Sequence, residues 1–387
     1  MTGPTIKIGA PVTGSDFFGR ERDVERFWRK INAGQHLLLV SPRRIGKTSL
    51  MRHIEANPRD NWVPVFADVE GKTDAAAVIA EIMNRLQNRG GVAARITKRF
   101  MEMLETAELR GFGFSAKIKK RAMDDWSQLA TAFEEAIAGA TTEKDKLLLI
   151  IDEFPIVVER LFSNARTRDQ AKDLLQLFRK VRTNVKLANR FRMVVGGSIG
   201  LKPILRRYNA TADANDLKTF RIGPWTKTNA LAFMDAIAEA ERFEFTPEIR
   251  AAILQRTGEQ PIPFHLQTML DYIMDLDKPA AEITVDDVEV VWRDALADVD
   301  LDHYRGRLFS VMDEATRDVA EEFLEKVAQD GAQTRKALLS ASEDAKIAKA
   351  ALRVLLEDGY FIERKDSDGE RRVRFSNPMI AKFWQRY

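Results

Sequence analysis

Apolar positions follow two rhythms along this chain: short unbroken runs and helical stripes. Residues 35–40, QHLLLV, form an apolar run bounded by polar residues, the pattern of a strand buried on both faces of a parallel sheet. Residues 146–151, KLLLII, repeat it and end in Asp152 and Glu153. Residues 190–195, RFRMVV, make a third run and stop in Gly196, Gly197 and Ser198. The stripes lie between the runs. Leu50, Met51 and Ile54 have helical spacing, as do Ile79, Ile82, Met83 and Leu86 within a helical stretch over 74–108. Trp126, Leu129, Phe133 and Ile137 predict one core face of a further helix. Over 111–121, GFGFSAKIKKR, Phe112, Phe114, Ala116 and Ile118 alternate with small or charged residues, the period of a half-buried strand.

From about residue 301 the rhythm changes. RDVAEEFLEKVA, TRKALL and DAKIAKAALRVLLEDG predict three helices. YFIERK and ERRVRF then alternate around an Asp-Gly turn, which predicts a hairpin. Three helices and a hairpin make a winged helix-turn-helix, with Ile380, Phe383 and Trp384 packing back on it.

The chemistry sits where the first runs end. After the first run comes SPRRIGKTSL, residues 41–50, so the order is strand, loop, helix. This is G-x-x-x-x-G-K-[ST] with Ser41 in place of the first glycine. The loop and helix start turn backbone N–H groups of Ser41, Arg43, Arg44, Ile45, Gly46, Lys47, Thr48 and Ser49, with Pro42 among them, toward phosphates. Gly46 lets the backbone approach closely, Lys47 brings a charge to the β- and γ-phosphates, and Thr48 offers a hydroxyl to Mg²⁺. Positive φ at Ser41 is expected to cost more than at glycine. At the end of the second run, Asp152 can hold Mg²⁺ through water, and Glu153 can orient and deprotonate the attacking water. A buried strand does not end in two acids for packing reasons. After the third run, Ser198 is placed to reach the γ-phosphate or the water, although Gly-Gly-Ser reads equally as a turn.

Composition narrows the picture further. At 387 residues the chain calls for two or three domains. Without cysteine there is no disulfide and no thiolate metal site, and His36, His53, His265 and His303 lack ligand spacing. The N-terminus has no signal-peptide pattern, and the apolar runs fall far short of a bilayer span, so a cytoplasmic location is expected. The net charge of +3 says little about partners. Locally, residues 85–121 carry ten Lys/Arg against Glu102, Glu105 and Glu108. That surplus suits nucleic acid or an acidic protein, or equally a solvated helical face.

Together the loop, the acid pair and the polar strand end resemble an AAA+-type ATPase. FFGRERDVERFWRKI, residues 17–31, resembles the lead-in segment of archaeal-type ATPases and their relatives, the STAND signalling ATPases and origin-recognition ATPases. The resemblance implies that Phe18, Gly19 and Arg20 line the adenine pocket. PRRIGKTSL is similar to that group's version of the loop. FRIGPWTKTNALAFMDAIAE, residues 220–239, resembles the last core strand and the start of the helical lid. TGEQPIPFHLQTML resembles the lid's Gly-x-Pro segment, here with three more residues between Gly258 and Pro263, and implies Pro263 near the nucleotide. An arginine finger is also implied. Arg206, Arg207 and Arg221 are the candidates, and each reads equally as a surface ion-pair arginine.

The fold class expected is therefore α/β: a three-layer P-loop NTPase (AAA+-like) core with a parallel sheet over 1–224, a helical lid over 225–300 and a winged helix over 301–387. The expected function is Mg²⁺-dependent ATP hydrolysis that drives a switch. ATP is preferred to GTP because N-K-x-D is absent. DNA is one partner class, through Lys346, Lys349 and Arg353, the wing residues Arg364, Lys365, Arg371, Arg372 and Arg374, or the basic stretch. Yet residues 301–387 hold sixteen basic and sixteen acidic side chains. A nucleotide-gated protein scaffold of signalling or defence type, with slow turnover and no DNA contact, is the alternative. Nucleotide-dependent self-association fits either.

Overall fold

The computed structural model describes residues 3–106, 109, 111–298, 302–366 and 369–385. The chain divides into two compact units, one of Asp23–Val40 and Leu50–Phe220, the other of Met1–Arg22, Ser41–Ser49 and Arg221–Tyr387. In chain order the elements up to residue 221 are α1 (Glu21–Asn32), β1 (Leu37–Val40), α2 (Lys47–Ala56), β2 (Trp62–Asp68), α3 (Ala75–Gln87), α4 (Gly91–Leu104), α5 (Phe114–Asp124), α6 (Trp126–Ala140), β3 (Lys146–Asp152), α7 (Phe154–Ser163), α8 (Arg168–Thr183), β4 (Phe191–Val195), α9 (Leu201–Arg207) and β5 (Lys218–Arg221).

The first unit is built on a five-stranded sheet of order β2-β3-β4-β1-β5. β2, β3, β4 and β1 are mutually parallel, with Leu149 opposite Val65 and Met193, and Leu37 opposite Val194. Parallel strands covered on both faces must be apolar throughout, and β3 is buried from Leu147 to Asp152. Helices cover this sheet to give the three-layer α/β core expected. α3, α4 and α6 follow one another between β2 and β3, and their stripes close on each other and on α8. Ile79, Ile82, Met83 and Leu86 are all buried, as are Leu129, Phe133 and Ile137, whereas Trp126 is half-buried rather than core.

Residues 111–121 overturn the alternation reading. They enter helix α5, which packs on α3 and α6 through the buried Ile118 and leaves Phe112 48% exposed. The run AKIKKRAM is made of good helix formers, and a helix closes its own backbone hydrogen bonds where a lone strand needs a partner. Part of the basic stretch is paired. Arg85 meets Glu81, Arg95 meets Asp145, Lys117 meets Glu105 and Lys120 meets Asp124. Glu108 and Arg110 lie outside the described residues.

The second unit continues with α10 (Lys227–Glu241), α11 (Pro247–Thr257), α12 (Pro263–Met274), α13 (Val285–Asp298), α14 (Asp302–Val311), α15 (Glu314–Asp330), β6 (Gln333–Thr334), α16 (Arg335–Leu339), α17 (Ala345–Glu357), β7 (Phe361–Lys365), β8 (Arg371–Phe375) and α18 (Pro378–Trp384). β7 and β8 pair antiparallel, and the short β6 adds to β8. Asp368 of the expected turn lies outside the described residues. α15 and α17 pack together, and Ile380, Phe383 and Trp384 are buried, as their apolar spacing requires. Buried Asn377 caps α18 at Met379 N and ties it to α11 and α12. Its Nδ2 donates to Thr257 O at 3.0 Å, and its Oδ1 lies 3.1 Å from His265 Nδ1.

Candidate nucleotide site

Val40 ends β1, and the next residue opens the loop. Positive φ falls at Arg44 (60°) and Gly46 (97°), and Ser41 is not among the positive-φ residues described. The glycine pattern is therefore broken at no conformational cost, which corrects the expectation of strain at position 41. Ser41 uses its side chain instead: Oγ accepts from Ile222 N at 2.8 Å. Ser49 Oγ likewise accepts from Val12 N at 3.1 Å. Around Gly46 an added Cβ would meet nothing within 4 Å, so the cradle is open where a phosphate would approach. Lys47 is 8% exposed, and its Nζ donates to Ser41 O and Pro42 O, each at 2.9 Å. Its charge is thus folded over the loop. The Arg44 guanidinium lies 3.9 Å from the centroid of Phe264, one residue past Pro263, which starts α12.

The lead-in segment packs against the start of α10. Phe18 meets Phe233 and Trp225 edge-on at 5.4 and 6.2 Å. Gly19 has φ 66°, and its carbonyl accepts from Asn229 Nδ2 at 2.8 Å. An added Cβ there would sit 3.1 Å from Trp225 Nε1, a buried donor with no hydrogen-bond partner among the described residues. Sequence reasoning missed Trp225, whose signal was an aromatic just past the last core strand. Arg20 is 6% exposed and donates to Gly223 O and Ile45 O, both at 2.7 Å.

In the other unit the acid pair ends β3. Asp152 is 2% exposed, and its Oδ1 accepts from Glu153 N at 3.0 Å. Glu153 takes the left-handed conformation, φ 55° and ψ 21°, at the N-cap of α7. A non-glycine residue held there costs on the order of 1–3 kcal/mol and persists only where its surroundings enforce it. Phe154 N donates to Gly196 O, and Ser198 donates from N (2.8 Å) and Oγ (2.9 Å) to Glu153 Oε2. Ser198 therefore holds the acid, a partnership sequence reasoning did not foresee. Because β1, β3 and β4 are parallel, their C-terminal ends share one edge of the sheet. A carboxylate and a hydroxyl are hard oxygen donors, so Asp152 and Thr48 suit Mg²⁺ by type. Of the arginine candidates, Arg207 pairs with Glu159 at 3.2 Å and Arg221 donates to Glu357 O, while Arg206 is half-buried.

A phosphate-binding loop after one parallel strand and an acid pair closing another define a P-loop NTPase of the AAA+ and STAND kind. The family model described as Novel STAND NTPase 1 (nSTAND1) matches residues 13–357, and the chain belongs to that family. Its fold is similar to the Walker-type ATPase PABY2304 of Pyrococcus abyssi, at 16% identity and a TM-score of 0.62, covering 98% of this chain and 99% of that one. It is also similar to the Aeropyrum pernix ORC2 protein, solved as ADPNP–ADP complexes, at 14% identity and a TM-score of 0.54, covering 94% and 91%. No curated protein matches the sequence. The resemblance to STAND ATPases read from the motifs is thereby shown, and the likeness to the ORC2 protein is one of fold. Among the described residues no helix is long and apolar enough to cross a membrane.

Proposed function

We propose that the chain binds ATP with Mg²⁺ and hydrolyses it as a switch. The observation that carries this is Glu153, a carboxylate at a strand end, held in strained backbone by α7 and gripped by both Ser198 donors. In the proposed complex the amides of Ser41, Arg43, Arg44, Ile45, Gly46, Lys47, Thr48 and Ser49 cradle the phosphates, with Pro42 shaping the turn. Lys47 leaves its two carbonyls for the phosphate oxygens, which reward its charge more. Thr48 and Asp152 hold the Mg²⁺, which supplies charge neutralisation on the β- and γ-phosphates. Glu153 takes the proton of the attacking water, and Ser198 keeps the carboxylate aimed. Phe18, Gly19 and the donor of Trp225 border the base, Arg20 belongs to the same site, and Pro263 brings the lid to it.

Residues 1–224, 225–300 and 301–387 act in this reading as core, lid and winged helix, with the last two coupling nucleotide state to a partner. Lys346, Lys349 and Arg353 are exposed on one face of α17, which favours DNA. Arg371 and Arg372 of the hairpin are paired with Glu363, Asp366 and Glu370, which favours the protein-scaffold reading. In solution, Lys47→Ala is expected to abolish MgATP binding by calorimetry. Glu153→Gln keeps binding and lowers turnover by roughly 100-fold or more. Normal turnover by the glutamine variant refutes the assignment of the base.

A further inference from the structure

The conformation of the loop depends on which way its peptide planes face. Ile45 C=O and Gly46 N–H belong to one planar trans peptide, so they point in opposite directions. Arg20 Nη2 donates to Ile45 O at 2.7 Å, which fixes that plane and turns Gly46 N–H away from the guanidinium. Arg20 Nη1 donates to Gly223 O, also at 2.7 Å, just beyond β5. Bonds from a guanidinium at this length are charge-assisted and directional. Arg20 is 6% exposed, so little of the guanidinium surface is left to meet a base. Its chain neighbours are also anchored, Gly19 through Asn229 and Phe18 through Phe233.

We infer that Arg20 is a positioning residue for the phosphate-binding loop and does not read the base. This rests on the nucleotide site proposed above. The distinction has a measurable form. A residue that reads adenine affects ATP alone, whereas one that sets a loop amide affects every ligand carrying a phosphate chain. ATP, GTP and inorganic tripolyphosphate, each with Mg²⁺, are titrated calorimetrically into wild type, Arg20→Met and Arg20→Lys. The expected result is a parallel loss across the three ligands, about 10-fold or more in Arg20→Met, since even one such bond is worth that much. Arg20→Lys, able to reach one carbonyl, recovers part of the loss. If Arg20→Met does not fold, the same parallel but smaller loss in Arg20→Lys supports the inference. A loss confined to ATP overturns it, and so does unchanged affinity for all three. A wild-type protein that binds none of the three overturns the nucleotide site itself.

Discussion

Glu153 shows how much a single position here depends on its neighbours. Gly197 lies under it, and a Cβ there would come 2.7 Å from Pro155 Cδ and 3.1 Å from Glu153 Oε2. The proline ring cannot yield, so Gly197→Ala should displace the carboxylate. Turnover is expected to fall roughly 10- to 100-fold with ATP affinity nearly unchanged; steady-state kinetics beside calorimetry checks both. His36 makes a second, independent case. Its Nδ1 accepts from Met193 N and its Nε2 faces Arg182 O, each at 3.0 Å, so the buried ring must be neutral. Burial, then the charges of Arg182 and Arg192, lower its pKa from 6.5 to about 4, opposed by Asp216. A base depressed on folding contributes fully above pH 6.5, and the contribution is lost as pH falls toward 4. The loss is on the order of 3 kcal/mol. Thermal melts between pH 7.5 and 4.5 should show it, with a shallower slope in His36→Gln. Asp152 and Lys47 are buried at the strand end and loop that the sequence marked, where charge has few structural uses. Ser198's grip on Glu153 and Arg20's on Ile45 were not legible in the sequence, because each joins segments far apart in the chain.

At the scale of elements, β1, β3, β4 and the helix after β1 coincide with their apolar patterns. A run buried on both faces and a stripe of period 3.6 are each imposed by what the element must cover. α5 escaped because four alternating positions suit a strand or a helix touching its core at a single residue. Ile118 alone is buried along it. The junction of α17 and β7 carries a device that no pattern announces. Arg307 of α14 and Asp358 form a fully buried pair at 3.0 Å, and Tyr360 Oη donates to Tyr304 O beside it. Burial pushes the Tyr304 hydroxyl up to about 12, and Asp358 raises the pKa of Arg307 against its desolvation. Asp358→Asn leaves a buried guanidinium without its counter-charge and should cost about 3–5 kcal/mol in urea unfolding. Arg307→Met combined with Asp358→Leu should recover most of that, because the desolvation cost goes with the charges. A double variant as unstable as Asp358→Asn would show that packing, not charge, sets the cost.

At the scale of the molecule the question is what the proposed switch would move. The exposed bases of α17 predict salt-dependent DNA binding, whose affinity falls linearly on a double-logarithmic salt plot as counterions are released. Neutralising three phosphates gives a slope of about −2.7 on duplex DNA, which Lys346→Ala, Lys349→Ala and Arg353→Ala together should erase. No binding at low salt, with or without ATP, leaves the protein-scaffold reading. The sequence by itself determined the class of the protein. Phosphate binding needs a short contiguous loop, parallel strands need unbroken apolar runs, and both are local in the chain. Only the tertiary structure decided how the parts are held. Arg20 holds a loop peptide, Ser198 grips Glu153, Asn377 binds α18 to α11 and α12, and Arg95 of the basic stretch pairs with Asp145. Each of these joins residues distant in sequence, and spacing along the chain carries no record of which hydrogen bonds and charges folding brings together.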